Sequence, residues 1–292
     1  MFVSQARQSV RRSAVQALSA ADTEELIEAA GAEIAVKCWG RGQPILCLHA
    51  AGHGSADFEL MAERLQDEFE IIALDLPGHG RSPRDGVGPG AERWADILEG
   101  AVEALYLERP ILMGNGLGGA AALMAAARRP TTYAGLVLCN APGLARMGPI
   151  EKLACKGAAR AFQAGERGAP WFGPAFETVY RQVLTGAPAR DQRRRIVAAA
   201  GETAPLLAQA WRDMGRTCAD LTPLAERVKV PTWIAWAKGD RFMSLRANRD
   251  ATRLFRKACA TGFRGGRAPF LEDPDAFAET FRRLAAENLA RA

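Results

Sequence analysis

The stretch Pro110-Ile111-Leu112-Met113-Gly114-Asn115-Gly116-Leu117-Gly118-Gly119-Ala120-Ala121-Ala122-Leu123 decides the fold. A short apolar run meets a glycine cluster and then an Ala-rich segment, which predicts a strand, a sharp turn and a helix. The glycines on either side of the turn let strand and helix pass closely. The same layout, written G-x-S-x-G, lifts a nucleophile above a sheet edge in enzymes that attack carbonyls. Here the central residue is Gly116. The frame for a nucleophile is present and its side chain is not.

Working outward, strand and helix signals alternate between about residues 45 and 142. Ile45–Leu48, Glu70–Asp75 and Leu136–Asn140 read as buried strands, and Asp57–Leu65 and Ala91–Leu105 as helices. That alternation predicts a mostly parallel sheet covered by helices on both faces. Glu33–Trp39 alternates in the manner of an edge strand. Residues 143–221 hold no strand-like run and several Pro and Gly breaks, and read as a helical insertion. The strand pattern returns at Val228–Trp236, followed by a helix at 245–254, a weak strand near 258–262 and a last helix at 274–288. Residues 1–30 read as an N-terminal helical extension, with Arg7, Arg11 and Arg12 and no acid before Asp22. A transit peptide shares that composition. A plain amphipathic helix packed on the body or on a partner is the simpler reading.

Composition sets bounds on the function. The 292 residues are 48% hydrophobic and 24% charged, with a net charge of +5. The arginine excess is spread through helical stretches and forms no basic tract with interleaved aromatics, which argues against nucleic-acid binding. No apolar run reaches the ~18 residues of a membrane span. The six cysteines form no C-x-x-C pair and no zinc-like spacing with histidine, so neither a metal nor a cofactor is expected. Cys47 and Cys139 lie in apolar runs and read as buried, reduced thiols, which suggests a cytoplasmic setting.

Five landmarks in order carry a resemblance. They are Leu48-His49 with a glycine-bearing loop, Asp75-Leu76-Pro77-Gly78-His79-Gly80-Arg81-Ser82, the stretch around Gly116, Val230-Pro231-Thr232 through Asp240, and Gly266-Arg267-Ala268-Pro269-Phe270-Leu271-Glu272-Asp273-Pro274. Together they resemble the α/β-hydrolase superfamily, with a lid inserted after the sixth strand. The resemblance covers about residues 33–290. It implies an α/β-hydrolase core at 31–142 and 222–292 and a helical lid at 143–221, with ligand bound at the carboxyl ends of the strands. It also implies a catalytic Ser, acid and His in that chain order. Asp240 matches the acid, Gly116 stands at the serine position, and Arg267 stands at the histidine position. All three histidines, His49, His53 and His79, precede residue 80. A guanidinium stays protonated and cannot relay a proton as imidazole does.

Each remaining residue has two readings. Gly116 is either the void of a lost nucleophile or room for a deep ligand. The amide of Leu117, with one from Ala50 or Ala51, can hold a carbonyl or enolate oxygen, because that site needs only backbone. Arg267 either pairs with Asp240 and plugs the old site or faces the cavity and binds an anion. His53 is either a general acid or base or a loop histidine. His49, His79, Asp75 and Ser82 read as structural. Asn115 beside the elbow and Trp171 and Phe172 in the lid are candidate ligand contacts. Lid-core packing is the simplest reading of Trp171, Phe172, Phe176, Tyr180 and Trp211 together, with the lining of an apolar ligand pocket as the other.

Three functions follow. The first is non-hydrolytic or atypical chemistry, of lyase, isomerase or cyclase type, on an apolar carbonyl or anionic small molecule. The second is a ligand- or protein-binding relative without turnover, with a homodimer or other partner meeting the lid or N-terminal helix. The third is hydrolysis by a rearranged site.

Overall fold

The computed structural model describes residues 25–242 and 249–289. Its strands are β1 (Glu25–Ala29), β2 (Ala32–Gly40), β3 (Gln43–Leu48), β4 (Phe69–Asp75), β5 (Ile111–Asn115), β6 (Gly135–Cys139), β7 (Thr232–Ala237) and β8 (Ala258–Phe263). They form one sheet in the order β1-β2-β4-β3-β5-β6-β7-β8. β2 is antiparallel to both β1 and β4, and every pairing from β4 to β8 is parallel. The helices are α1 (Glu59–Leu65), α2 (Ala91–Ala104), α3 (Leu117–Arg128), α4 (Pro149–Glu166), α5 (Phe172–Val183), α6 (Arg190–Ala198), α7 (Ala200–Met214), α8 (Thr222–Ala225), α9 (Pro269–Glu272) and α10 (Pro274–Leu284).

The parallel strands are apolar throughout because both faces are covered. On β3, Leu46 and Leu48 join the core on the side of α2 and α3, while Ile45 and Cys47 join the core on the side of α1 and α10. Leu117 to Ala127 of α3 are all buried, which explains why that helix carries alanine where α2 carries an amphipathic pattern. The close fit of β5 and α3 requires glycine. A Cβ on Gly114 would come within 2.3 Å of the Gly118 carbonyl oxygen.

Three expectations are corrected. Residues 25–29, expected within the helical extension, form β1 and pair with β2. β2 therefore lies one strand in from the edge. The cause is a two-residue hairpin turn at Ala30 and Gly31, both at positive φ (51° and 73°). Such turns favour Asn-Gly or Asp-Gly, so Ala-Gly gives little sequence signal. The rest of the expected N-terminal helix, residues 1–24, and residues 245–248 of the expected helix at 245–254 lie outside the described residues. The described end of the latter, Arg249–Leu254, is a short 3-10 segment.

The insertion between β6 and α8 supplies α4 to α7, and three of these helices roof the carboxyl ends of the strands. Among the described residues no helix is long and apolar enough to cross a membrane.

Candidate active site

Between the strand ends and the inserted helices lies a cavity of about 260 Å³. Ala50, Ala51, His53, Leu117 and Arg267 form its floor, and α4, α5 and α7 its walls. Among the described residues its lining is apolar apart from His53, Tyr180, Arg267 and the indoles of Trp171 and Trp211. Most of a ligand's surface would therefore meet carbon.

The elbow is built as the sequence predicts. Gly116 caps α3 at φ 53°, ψ −123°, a conformation that glycine adopts without strain. The Leu117 amide belongs to the first turn of α3, where N–H groups have no intrahelical acceptor. A Cβ on Gly116 would lie 3.1 Å from Ala50 Cβ and 3.5 Å from Arg267 Nη2. The guanidinium thus stands beside the place where a nucleophile would be.

Arg267 Nη1 donates to Asp240 Oδ2 at 3.3 Å, and both side chains are largely buried. The same oxygen accepts from Asn140 Nδ2 at 2.8 Å, and Asp240 Oδ1 accepts the Phe242 amide at 2.8 Å. The loop carrying Arg267 is held by Glu272. Its buried carboxylate accepts N–H groups of Gly266, Arg267 and Ala268 at 2.7–2.9 Å, and those of Thr185 and Gly186 from the α5–α6 turn at 2.7 and 2.9 Å. One carboxylate therefore ties the arginine loop to the helical insertion.

A second polar chain also lines the cavity. His53 is 7% exposed and Asp57 wholly buried. His53 Nδ1 donates to Asp57 Oδ2 at 2.6 Å, which leaves Nε2 as an acceptor for the Tyr180 hydroxyl at 3.2 Å. Gln192 Nε2 donates to Asp57 Oδ1 at 2.7 Å. The Tyr180 ring stacks on Phe176 at 4.5 Å. Burial pushes the Tyr180 hydroxyl above its ordinary pKa, so the phenol holds its proton.

Two further histidines fix the loop that carries His53. His49 Nε2 accepts the Leu76 amide at 3.0 Å, and His79 Nε2 accepts the Gly52 amide at 2.9 Å. Burial lowers His49 to about 4 and His79 to about 3, so both are neutral acceptors near pH 7. In the adjoining turn, Ser82 Oγ accepts the Ala35 amide at 2.8 Å and donates to the Asp75 carbonyl oxygen. Asp75 Oδ1 accepts the Ser55 amide at 2.6 Å.

The structure brings Ala50, Ala51, His53, Leu117, Trp171, Phe172 and Arg267 together around the cavity. Asn115 does not reach it. Asn115 is wholly buried beneath the arginine loop and donates to the carbonyl oxygens of Arg267 and Cys139. Asp240 lies behind Arg267. The thiols of Cys47 and Cys139 are buried and pushed above their ordinary pKa by desolvation, which removes the thiolate a nucleophile needs. Sequence reading missed Asp57, Gln192 and Glu272 and assigned Tyr180 to packing. The four-residue spacing of His53 and Asp57 is the one signal that could have found the second chain.

Residues 45–280 match the model of the Alpha/beta hydrolase family. The chain is 34% identical over 128 residues to a 2-hydroxy-6-oxo-2,4-heptadienoate hydrolase of Pseudomonas putida, covering 42% of this chain and 46% of that protein. It is 37% identical over 91 residues to a 2-(acetamidomethylene)succinate hydrolase of Mesorhizobium japonicum, covering 31% and 33%. The matched stretch thus spans less than half the length of either relative. Among solved structures, an esterase of Thermogutta terrifontis superposes with a TM-score of 0.77 at 21% identity, covering 91% of this chain and 99% of that one. The enol-lactonase of Burkholderia xenovorans superposes with a TM-score of 0.72 at 19% identity, covering 90% and 100%. At such identities the likeness concerns the fold.

Proposed function

The chain belongs to the alpha/beta hydrolase family, and from that premise we propose that it does not cleave esters through an acyl-enzyme. Its triad is degenerate, with glycine for serine at 116 and arginine for histidine at 267. Residues 143–221 act as a lid over the core at 31–142 and 222–292. Under that lid the protein binds an apolar carbonyl compound carrying an anionic group and moves a proton on it. Arg267 holds the anionic group, the Leu117 and Ala51 amides hold the carbonyl oxygen, and His53 supplies the base. The six cysteines are free, which supports a reducing, cytoplasmic setting.

The observation that carries this reading is Arg267. Its guanidinium lines an apolar cavity 3.5 Å from the point where a nucleophile's Cβ would stand. A permanent cation in an apolar wall fits a ligand with one anionic end. The Pseudomonas putida relative is named for an oxo acid, which carries a carboxylate and a carbonyl on a short carbon chain.

Phenylpyruvate has the required parts: an aryl group, a ketone, a carboxylate and an acidic C–H. Calorimetric titration is expected to show saturable binding that weakens about tenfold or more in Arg267→Gln, the loss of one charge-assisted contact. Intact-mass analysis after treatment with a fluorophosphonate probe is expected to show no adduct. A stoichiometric adduct, or binding indifferent to Arg267→Gln, contradicts the reading.

A second reading, a partner-binding module without turnover, is favoured by Ile150, Leu153 and Trp171, which stand exposed on the inserted helices. A stable homodimer in sedimentation, abolished by Ile150→Glu with Leu153→Glu, would support it.

A further inference from the structure

Beside the elbow residues, Asp57, His53 and Tyr180 form a continuous hydrogen-bonded chain that ends at the cavity. Its members come from different layers. His53 lies in the loop after β3, Asp57 in the 3-10 turn that follows, and Tyr180 on α5 of the insertion. Acid, imidazole and hydroxyl stand in the same order as in a serine-type relay. The carboxylate fixes the tautomer of His53, as a positioning acid does.

His53 Nε2, the atom a substrate would need, is already occupied by the Tyr180 hydroxyl. His53 and Tyr180 both line the cavity, and the hydroxyl stands at the end of the chain, where a ligand could meet it. Simple packing does not explain the arrangement. Phe176 and Val183, on the same helix, also bury against the cavity with no polar atom. A phenylalanine at 180 would pack as well and would leave His53 able to meet water.

We propose that Tyr180 is a catalytic residue, the proton-transfer group of a tyrosine–histidine–aspartate relay that enolises a keto acid held by Arg267. Tyr180 Oη takes a proton from the carbon next to the ketone while its own proton passes to His53 Nε2. The C–H electron pair becomes the enolate double bond, and the ketone oxygen takes the negative charge. The imidazolium faces Asp57, which Gln192 holds in place. Reversal returns a proton to carbon, so the net reaction is exchange of the proton on the carbon next to the ketone, through an enolate, with no oxidant, reductant or leaving group. Asp57 is a positioning residue, since its carboxylate bonds His53 and Gln192 and does not line the cavity.

This inference rests on the keto-acid reading above, and the test separates the two. Deuterium uptake at the benzylic carbon of phenylpyruvate in heavy water is followed by NMR, beside calorimetric binding, for the wild type, Tyr180→Phe, His53→Gln and Asp57→Asn. The wild type is expected to exchange the carbon-bound protons faster than buffer. Tyr180→Phe and His53→Gln are expected to slow exchange about 100-fold or more, the usual contribution of a positioned acid or base. Asp57→Asn is expected to slow exchange at saturation while phenylpyruvate affinity stays within about threefold. Melting temperature reports folding for each variant. Absence of phenylpyruvate binding overturns the keto-acid reading. Binding without exchange, or exchange that Tyr180→Phe leaves intact in a folded protein, overturns the relay and leaves that reading standing.

Discussion

The elbow and the loop after β3 border one cavity, and they are opposite in character. The elbow keeps its backbone: Gly116 holds the turn, the Leu117 amide opens α3, and Asp240 meets residue 267. Gly116 and Arg267 form no proton path there, because arginine cannot accept a proton and a glycine side chain has none to give. The loop after β3 has the reverse character. There the side chains form a complete acid–imidazole–hydroxyl chain, assembled from a loop, a 3-10 turn and an inserted helix. Backbone geometry and proton chemistry are thus separable. A fold can retain the first at one position while the second stands some residues away.

The sharpest way to break this comparison is to rebuild the elbow. Gly116→Ser together with Arg267→His places hydroxyl, imidazole and Asp240 in line. That double variant is expected to hydrolyse p-nitrophenyl acetate about 100-fold faster than the wild type and to take up the fluorophosphonate probe. Neither single change supplies both partners. Activity from Gly116→Ser alone would show that a base already serves the elbow, against the contrast drawn here.

A second change asks how the two regions are joined. Glu272→Ala removes the carboxylate that collects amides from the arginine loop and from the α5–α6 turn. Leaving those buried donors unpaired is expected to lower stability by about 3 kcal/mol, read from urea midpoints. Phenylpyruvate affinity should fall with it, because Arg267 loses its anchor. Glu272→Gln should recover part of the loss.

Acid sharpens the comparison least but in a known direction. His49 and His79 titrate near 4 and 3 in the folded chain, below the ordinary 6.5, because burial disfavours the charged ring. The unfolded chain therefore binds more protons between about pH 6.5 and pH 3. Stability contributed by the neutral rings is complete above 6.5 and is lost as pH falls through that window. Each ring should cost about 2 kcal/mol between pH 7 and pH 5, seen as a falling urea midpoint. These rings support the loop after β3, so the His53 side should loosen before the Arg267 side. Hydrogen exchange of the Gly52 and Leu76 amides against the Gly266 and Arg267 amides reads that order.

How much of this was legible in the sequence follows from which interactions are local. The parallel sheet was legible because each strand is a short apolar run buried on both faces, bounded by glycine and proline. β1 was not, since its hairpin turn uses Ala30 where the usual signal is Asn or Asp. At the elbow, Gly116 and Arg267 could be read because each breaks a pattern at a fixed place in the chain. Of the Asp57–His53–Tyr180 chain only the His53–Asp57 spacing gives a local signal, since Tyr180 lies 127 residues from His53 and joins it only when the insertion folds over the sheet. Glu272 was hidden for the same reason. Its partners at Thr185 and Gly186 are 87 and 86 residues away.

The central claim, resting on the proposed relay, is that Tyr180 and His53 handle the proton while Arg267 holds the ligand. A crystal structure of the phenylpyruvate complex tests it most directly. The account predicts the carboxylate within hydrogen-bond distance of the Arg267 guanidinium, with the Asp240 pair kept, and the benzylic carbon within about 3.5 Å of Tyr180 Oη. A ligand bonded covalently to any side chain at the elbow, or one seated with its benzylic carbon away from Tyr180, would contradict it.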